Sequence, residues 1–235
     1  MIDNYVALDL ETTGLNPSRD RIIEIGMARF ENGTLTADYE QLIHPGMSLP
    51  EHITQLTGIN DNMLKDKPLI GDVIGDIIAF IGENPILGHN VIFDYSFLKK
   101  AAVNSGRKIS LRGIDTLKIA RRVLPEAEHK SLEYLCQYFD INPGHSHRAL
   151  DDALSAAMLF EKMHEIKPED SGFQLTTQLI YAVKKDSPIT AAQRRLLTAL
   201  LEHNSLQLEQ EIDMMTKSEA SRQIDLIISQ YGKNT

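Results

Sequence analysis

The alternation of apolar and polar positions predicts strands in the first part of the chain and helices later. Short apolar segments bounded by turn residues predict five strands. These strands cover 5–11, 21–30, 34–43, 85–90 and 112–115. Asn32-Gly33 between the second and third strands is a hairpin signal, so the first three strands are expected to form an antiparallel meander.

Apolar positions spaced three and four apart predict helices between and after these strands. Ile74, Ile77, Ile78 and Ile81, for example, lie on one face of a helix that ends at Gly82. The other predicted helices are 50–56, one beginning at 91, 116–124, 130–139, 149–160, 191–201, 206–212 and one from 216 to before Gly232. A meander followed by alternating strands and helices predicts the α/β class, with a mixed sheet flanked by helices.

Length and loop residues divide the chain into three parts. At 235 residues it suits one sizeable domain and a small appendage. We predict a first domain over 1–166, a linker or packing segment over 167–187, and a small helical module of uncertain role over 188–235. Residues 184–235 carry 7 basic and 7 acidic side chains, so their charge does not indicate a phosphate-binding surface.

The composition is that of an ordinary globular protein, with 42% hydrophobic and 24% charged residues. Cys136 is the one cysteine, which excludes an internal disulfide framework and suits a reducing cytoplasm. Its neighbours indicate a small core residue in preference to a nucleophile. We find neither a secretion leader nor a run of 18 apolar residues, so we expect a cytoplasmic protein with no membrane partner.

Charge is unevenly distributed along the chain. The net charge of −9 argues against a polyanionic partner, but residues 99–122 hold eight basic side chains and one acidic side chain. Such a basic cluster is either a solvated face, which is the commoner case, or a surface that contacts phosphates. The sequence alone leaves both interpretations open.

Two carboxylates interrupt the apolar first strand. Asp9 and Glu11 project from the same face of that strand because side chains alternate between the faces. Their repulsion is relieved if both bind a divalent cation, and oxygen ligands suit Mg²⁺ or Mn²⁺. The alternative is a strand end at which both acids are solvated.

Two further carboxylates lie where strands meet helices. Asp94 lies near the start of the helix that follows the fourth strand, and Asp152 lies near the start of the helix at 149–160. With Asp9 and Glu11 they could hold two Mg²⁺ or Mn²⁺ ions, an arrangement used for in-line displacement at phosphorus. His147 is the candidate general base, since imidazole titrates near neutral pH.

Helix geometry leaves the fourth carboxylate undecided. At about 100° per residue, Asp151 lies only ~40° around a helix from His147, whereas Asp152 lies ~140° away. Asp151 is therefore favoured if His147 belongs to the helix. Asp152 is favoured if His147 lies in a preceding loop, which Gly144 and Ser146 permit.

Three segments resemble the motifs of the DnaQ-like DEDDh 3′→5′ exonucleases, the group that includes the proofreading epsilon subunit of bacterial replicative DNA polymerase. The segments are Asp9-Leu10-Glu11-Thr12-Thr13-Gly14, residues 88–98 with the sequence GHNVIFDYSFL, and His147-Arg148-Ala149-Leu150-Asp151-Asp152-Ala153. The resemblance covers residues 3–165 and implies an RNase H-like fold. In that family the last motif has a histidine, four residues and an aspartate, which implies Asp152 and not Asp151.

The resemblance implies a role for each of these side chains. The metal ligands would be Asp9, Glu11, Asp94 and Asp152, with Asp9 bridging two ions, and His147 would be the general base. The 3′-terminal nucleotide would be bound by Thr12, Thr13, Leu15, Asn90 and Phe93, although a turn position explains Thr13 and a helix-core position explains Phe93 equally well. Structural roles are expected for His89, His129, His145 and Asp115.

The expected function is a metal-dependent 3′→5′ exonuclease that releases nucleoside 5′-monophosphates from a single-stranded or frayed 3′ end of DNA, in proofreading or repair. One alternative is a 3′→5′ exoribonuclease, since discrimination at the 2′-OH depends on pocket contacts. The other is a recruitment module for a polymerase or helicase, which fits 188–235 better than it fits the intact catalytic set. We find no convincing sliding-clamp peptide.

Overall fold

A mixed sheet forms the centre of the first domain. The computed structural model describes residues 1–142, 144, 147–208 and 210–232. Its strands are β1 (Tyr5–Thr12), β2 (Ile22–Glu31), β3 (Thr34–Leu42), β4 (Ile86–Gly88), β5 (Arg112–Asp115) and β6 (Thr177–Gln178). They form one sheet with the order β3-β2-β1-β4-β5-β6.

Helices cover the sheet and continue beyond it. They are α1 (Glu51–Thr57), α2 (Asp61–Leu64), α3 (Ile70–Ile81), α4 (Ile92–Asn104), α5 (Thr116–Val123), α6 (Leu132–Tyr138), α7 (Ala149–Ile166), α8 (Ala191–His203) and α9 (Lys217–Tyr231). Short 3₁₀ turns occur at Ser171–Phe173 and Ile212–Met214. In the part of the chain that the structure describes, no helix is long and apolar enough to cross a membrane.

Strand β1 has one antiparallel and one parallel neighbour in the sheet. It pairs antiparallel with β2 and parallel with β4. The hairpin between β2 and β3 turns at Asn32 and Gly33, whose φ values are 51° and 71°, as the two-residue hairpin turn requires. The predicted meander and the predicted α/β class are both confirmed.

The two faces of β1 pack against different helices. Tyr5 and Ala7 belong to the core cluster that contains Phe160 of α7. Val6 and Leu8 belong to the opposite cluster, which is covered by α3 and α4. Because side chains alternate along a strand, Asp9 and Glu11 continue the face that is covered by α7.

A glycine lets α7 approach the sheet at this level. Gly26 of β2 is the register partner of Asp9. A Cβ atom on Gly26 would lie 2.1–2.4 Å from backbone atoms of Ala149 and Leu150, where no side chain can fit. The first turn of α7 therefore lies directly on β2, beside the carboxylates of β1.

Residues 167–187 pack on the first domain along much of their length. Phe173 is buried in the same core cluster as Phe160, and β6 extends the sheet by pairing with β5. Asp186 forms an ion pair with Lys100 at 2.7 Å. The sequence predicted no strand here because two residues of β6 carry too little periodicity. The predicted boundaries of the three parts stay a prediction.

The C-terminal module has its own core, to which α8 and α9 both contribute. Helix α9 opens with the predicted capping box, in which Thr216 and Glu219 exchange hydrogen bonds. The predicted helix over 206–212 is wrong. Gln210 forms a β-bridge with Met47, and the N–H group of Glu211 donates to Gly46 O at 3.2 Å. Pairing with the first domain thus keeps Gln210 and Glu211 out of a helix.

Candidate active site

Asp94 lies deep at the junction of β4 and α4. Asp94 is 2% exposed, and its Oδ1 atom has no hydrogen-bond partner among the described residues. Asn90 precedes the helix with a φ of 75°, and its N–H group donates to Asp115 Oδ1 at 3.2 Å. Asp94 lies in the first turn of α4, directly after the turn that follows β4. A buried carboxylate oxygen without a partner is unusual and fits a missing ligand.

The start of α7 decides how His147 and Asp152 meet. The helix begins at Ala149, and His147 lies before it with a φ of 63°. In this position the N–H group of His147 donates to Asp152 Oδ2 at 3.1 Å. His147 therefore precedes the helix, which is the condition under which geometry favours Asp152 over Asp151.

The Asp151 side chain lies against the loop that precedes α7. A Cβ atom on Gly144 would lie 2.9–3.0 Å from the Asp151 carboxylate, so this carboxylate packs against the loop before the helix. The predictions for His145 and Ser146, including the structural role of His145, lie outside the described residues.

Three of the predicted catalytic side chains form a close group. Glu11, His147 and Asp152 each offer one ligand atom, and these atoms lie within 4.8 Å of one another. Glu11 is buried, and the other two side chains are partly exposed. The group is therefore accessible to solvent.

Asp9 and Asp94 are electrostatically coupled to this group. Burial raises the pKa of Asp9 well above its usual value, and the charges of Asp94, Asp152, Glu11 and Glu24 raise it further. Burial also raises the pKa of Asp94, with a contribution from Glu11. The structure thus brings all four predicted carboxylates into electrostatic contact. Mutual repulsion of this kind is relieved by a bound cation, so the donor set fits a divalent metal ion.

Sequence reasoning missed Glu24, which is buried with no exposed surface. Its carboxylate accepts from Arg148 Nη2 at 2.6 Å and from the N–H group of Ala149 at 3.0 Å. Glu24 lies opposite Glu11 in the sheet. We call these contacts the Glu24 clamp, because they fix the first residues of α7 against β2. The signal was available, since Glu24 is a carboxylate within the apolar run Ile22-Ile23-Glu24-Ile25.

The predicted substrate residues fall into two groups. The hydroxyls of Thr12 and Thr13 both take part in the turn after β1, through Gly14 O at 2.7 Å and the N–H group of Arg21 at 2.9 Å respectively. Leu15, in contrast, is 84% exposed and lies just beyond the acidic strand end. Leu15 is therefore an apolar side chain that nothing in the described structure covers.

The remaining two predicted contacts come from the turn after β4 and from α4. The Asn90 N–H group donates to Asp115 Oδ1, which ties the turn after β4 to the start of α5. Phe93 is half-buried and tilts against Phe97 at a centroid distance of 5.1 Å, packed against the core of α3 and α4. Core packing therefore accounts for much of Phe93.

The contacts of His89 and Asp115 agree with the structural roles that were predicted for them. His89 uses both ring nitrogens, Nδ1 with Thr116 Oγ1 at 2.9 Å and Nε2 with Lys130 O at 2.6 Å. Burial lowers the pKa of His89, which keeps the ring neutral, so Nε2 donates to the carbonyl. Asp115 is the N-cap of α5. His129 is largely exposed, and its ring meets Tyr134 edge-on.

Internal contacts occupy much of the basic cluster at 99–122. Lys100, Arg112 and Arg122 bind Asp186, Thr176 and Asp170 respectively. Lys99 donates to Ile109 O. These pairings favour a structural face over a phosphate-binding surface.

Cys136 is buried, and burial raises the pKa of its thiol to about 11, which makes it a poor nucleophile.

The carboxylate cluster predicts an unusual pH dependence of stability in EDTA. Burial and the charge of Asp152 raise the pKa of Glu11 from 4.5 to about 8. The folded state therefore binds more protons than the unfolded state between these values, and stability falls as pH rises through this window. In this window Glu11→Gln, which mimics the protonated form, should become progressively more stable than wild type, by on the order of 4 kcal/mol at pH 8.

Denaturant unfolding of both proteins in EDTA from pH 5 to pH 8 measures this difference. Adding Mn²⁺ should reverse its sign, because a cation bound by the carboxylates stabilises the folded wild type. A difference in the free energy of unfolding that is independent of pH would show that Glu11 does not titrate within the cluster.

The fold and the site together define a class. An RNase H-like sheet carries a carboxylate cluster where its central strand ends, and a histidine precedes the helix that crosses it. A model of the RNase T family, described as exonuclease, matches residues 6–160. The chain belongs to this exonuclease family, and the family predicted from the three motifs is confirmed.

Curated relatives include two kinds of DNA polymerase III protein. The DNA polymerase III epsilon subunit of Aquifex aeolicus is 35% identical over 162 residues, which cover 68% of this chain and 80% of that protein. The PolC-type DNA polymerase III of Caldanaerobacter subterraneus subsp. tengcongensis is 34% identical over 175 residues, or 74% of this chain. The chain spans only 12% of the length of that PolC-type relative.

Solved structures have the same fold. Exonuclease X, in complex with 5′ overhanging duplex DNA, has a TM-score of 0.56 and 26% identity, covering 70% of this chain and 93% of that chain. Exonuclease I has a TM-score of 0.65 at 17% identity, covering 74% of this chain and 43% of that chain, which shows the fold alone. The predicted RNase H-like fold is confirmed.

Proposed function

We propose that this chain is a metal-dependent 3′→5′ exonuclease that hydrolyses the terminal phosphodiester bond of DNA and releases nucleoside 5′-monophosphates. The observation that carries the proposal is the close group of Glu11, His147 and Asp152, to which the charges of Asp9 and Asp94 are coupled. In a chain of the exonuclease family, such a set suits phosphodiester hydrolysis. A single-stranded or frayed 3′ end is the substrate that we propose.

In this proposal four side chains are the metal ligands, namely Asp9, Glu11, Asp94 and Asp152. Two Mg²⁺ or Mn²⁺ ions, when bound, supply charge stabilisation for the attacking and leaving oxygens of the in-line displacement. His147 takes the proton from the attacking water as the water oxygen bonds to phosphorus. The terminal P–O3′ bond breaks, and the leaving O3′ becomes the new 3′-hydroxyl by taking a proton from solvent. The hydrogen bond from the His147 N–H group to Asp152 holds the imidazole at the edge of the cluster.

Substrate selection is assigned to the turn after β1 and to the start of α4. Leu15 contacts the terminal bases through its exposed side chain, and Thr12, Thr13, Asn90 and Phe93 surround the terminal nucleotide. Stacking and shape contacts of this kind read no base sequence, so little sequence preference is expected. DNA is favoured over RNA because relatives are named DNA polymerase III and because exonuclease X was solved with DNA.

The cellular setting belongs to the same proposal. Proofreading for a polymerase, or repair, fits the relatives that are named as polymerase subunits. Residues 188–235 are the candidate docking module for a polymerase or helicase. We place the protein in the cytoplasm, where its buried thiol would stay reduced.

Digestion of 3′-end-labelled oligonucleotides tests the function. Wild type with Mn²⁺ should release mononucleotides from single-stranded DNA and from a mismatched 3′ end faster than from matched RNA. Asp152→Ala should abolish release, whereas the matched control Asp151→Ala should keep most of it, because the Asp151 carboxylate packs against Gly144. Faster digestion of RNA would reassign the substrate, and no cleavage of either substrate by wild type would refute the proposed activity.

A further inference from the structure

The loop that follows β1 is a closed structure with one apolar side chain held outward. We call residues 13–21 the 13–21 loop. Its ends are joined twice, since the Thr13 N–H group donates to Arg21 O at 2.8 Å and the Arg21 N–H group donates to Thr13 Oγ1 at 2.9 Å. The exposed Leu15 lies within this closed loop, so its position depends on the hydrogen bonds that close it.

Asp20 fills the inside of the loop. Its Oδ2 accepts from the Asn16 N–H group at 2.7 Å, and its own N–H group donates to Asn16 O at 2.8 Å. A Cβ atom on Gly14 would lie 2.6–2.8 Å from the Asp20 carboxyl group, so only glycine fits beside it. The loop therefore has a defined conformation, which ends at Arg21.

The side chain of Arg21 contacts the loop and the C-terminal module at the same time. Its Nη1 donates to Arg19 O at 3.2 Å and to Asp20 O at 3.4 Å. Its Nη2 forms an ion pair with Glu219 of α9. The guanidinium thus bridges two loop carbonyls and one carboxylate that is 198 residues away in sequence.

Glu219 is held in place by the module. Its side chain is only 8% exposed, and its Oε2 accepts from the Thr216 N–H group at 2.7 Å. The Glu219 N–H group donates to Thr216 Oγ1 at 3.2 Å, which completes the capping box of α9. A carboxylate fixed in this way holds a charged partner with little loss of side-chain freedom.

Other contacts keep the module seated on the first domain. Within the module, Gln210 pairs with Met47 and the Glu211 N–H group donates to Gly46 O at 3.2 Å. Just before the module, Asp186 of the linker segment binds Lys100 at 2.7 Å and Asn104 at 3.0 Å. These contacts do not involve the 13–21 loop. Loss of the Glu219 charge is therefore expected to loosen the loop without detaching the module.

We propose that Glu219 is a positioning residue for the 3′-terminal nucleotide, because it holds the 13–21 loop and Leu15 in place through Arg21. This inference rests on the proposed function of the site. It gives residues 188–235 a role within the chain itself: the module orders the loop before substrate binds, so less ordering has to accompany binding. Since Glu219 touches no reacting atom, its loss should affect substrate binding and spare the chemical step.

The test compares Glu219→Gln with Asp186→Asn in the full chain. Glutamine keeps the capping box and removes the charge that faces Arg21, while Asp186→Asn weakens a second contact that makes no hydrogen bond to the loop, although it lines the same cavity as Arg21. We expect Glu219→Gln to raise the KM for single-stranded DNA about fivefold with kcat within twofold, because a loosened loop must be ordered on binding. Asp186→Asn should leave both constants unchanged.

Hydrogen–deuterium exchange supplies a readout that is independent of catalysis. Exchange of the peptide that covers the 13–21 loop should be faster in Glu219→Gln than in wild type and in Asp186→Asn. Arg21→Gln breaks the same ion pair from the loop side, and the double variant should be no worse than Arg21→Gln alone, since both changes remove one interaction.

Several outcomes would overturn the inference. They are an unchanged KM in Glu219→Gln, an equal rise in KM in Asp186→Asn, and unchanged exchange of the 13–21 loop. If wild type cleaves no oligonucleotide, the proposed function fails, and affinity for single-stranded DNA in EDTA replaces KM. Glu219→Gln must then weaken that binding about fivefold for the inference to stand.

Discussion

Asp9→Asn is expected to abolish nucleotide release and, in EDTA, to make the protein more stable than wild type. The pKa of Asp9 is raised by burial and by Asp94, Asp152, Glu11 and Glu24, so the ionised side chain works against folding when no cation is present. Asparagine has the same shape without the charge. Release should fall by about three orders of magnitude or more, since loss of metal charge stabilisation costs several kcal/mol.

Two measurements on the same samples check this expectation. The rate of mononucleotide release with Mn²⁺ gives the activity, and thermal unfolding gives Tm with EDTA and with Mn²⁺. In EDTA, Asp9→Asn should melt on the order of 5 °C above wild type, whereas Mn²⁺ should raise the Tm of wild type more than that of the variant.

Asp38→Asn serves as the matched control, because Asp38 is an exposed acid on β3. This change should move neither activity nor Tm. Retained turnover in Asp9→Asn would remove Asp9 from the proposed ligand set. A lower Tm in EDTA would mean that Asp9 has a stabilising partner in the folded state.

The sequence predicted the part of the site that depends on local periodicity. Asp9 and Glu11 share a face because a strand has a period of two, and the structure continues that face from Tyr5 and Ala7. The choice between Asp151 and Asp152 depended on where a helix begins. That point is set by the position of His147 before Ala149, which residue spacing alone could not fix.

The local pattern of apolar and polar residues could not predict contacts between residues that are far apart in the sequence. The stretch 206–212 has helical spacing, but pairing of Gln210 with Met47 holds part of it extended. The ion pair of Arg21 with Glu219 likewise joins residues that no periodicity connects. Glu24 is a different case. Like Asp9, it is a carboxylate within an apolar run, but it pairs with the cation Arg148, whereas Asp9 lies among other acids.

Glu24→Ala should be the most damaging single change outside the carboxylate cluster. Glu24 has no exposed surface, and it binds both the Arg148 side chain and the Ala149 N–H group. Its removal leaves the start of α7 without these partners, which should destabilise the fold by about 3 kcal/mol. His147 and Asp152 flank this turn, so kcat should fall about a hundredfold even well below the melting temperature.

Arg148 offers an internal control, because it also binds Glu40 at 2.8 Å. Glu40 is half exposed and makes no bond to the backbone of α7 among the described contacts, so Glu40→Ala should cost less than about 1 kcal/mol and leave kcat near wild type. Urea unfolding and single-turnover cleavage of both variants measure the two effects. Equal losses in Glu24→Ala and Glu40→Ala would mean that the charge of Arg148, and not the Glu24 clamp on α7, holds the catalytic turn.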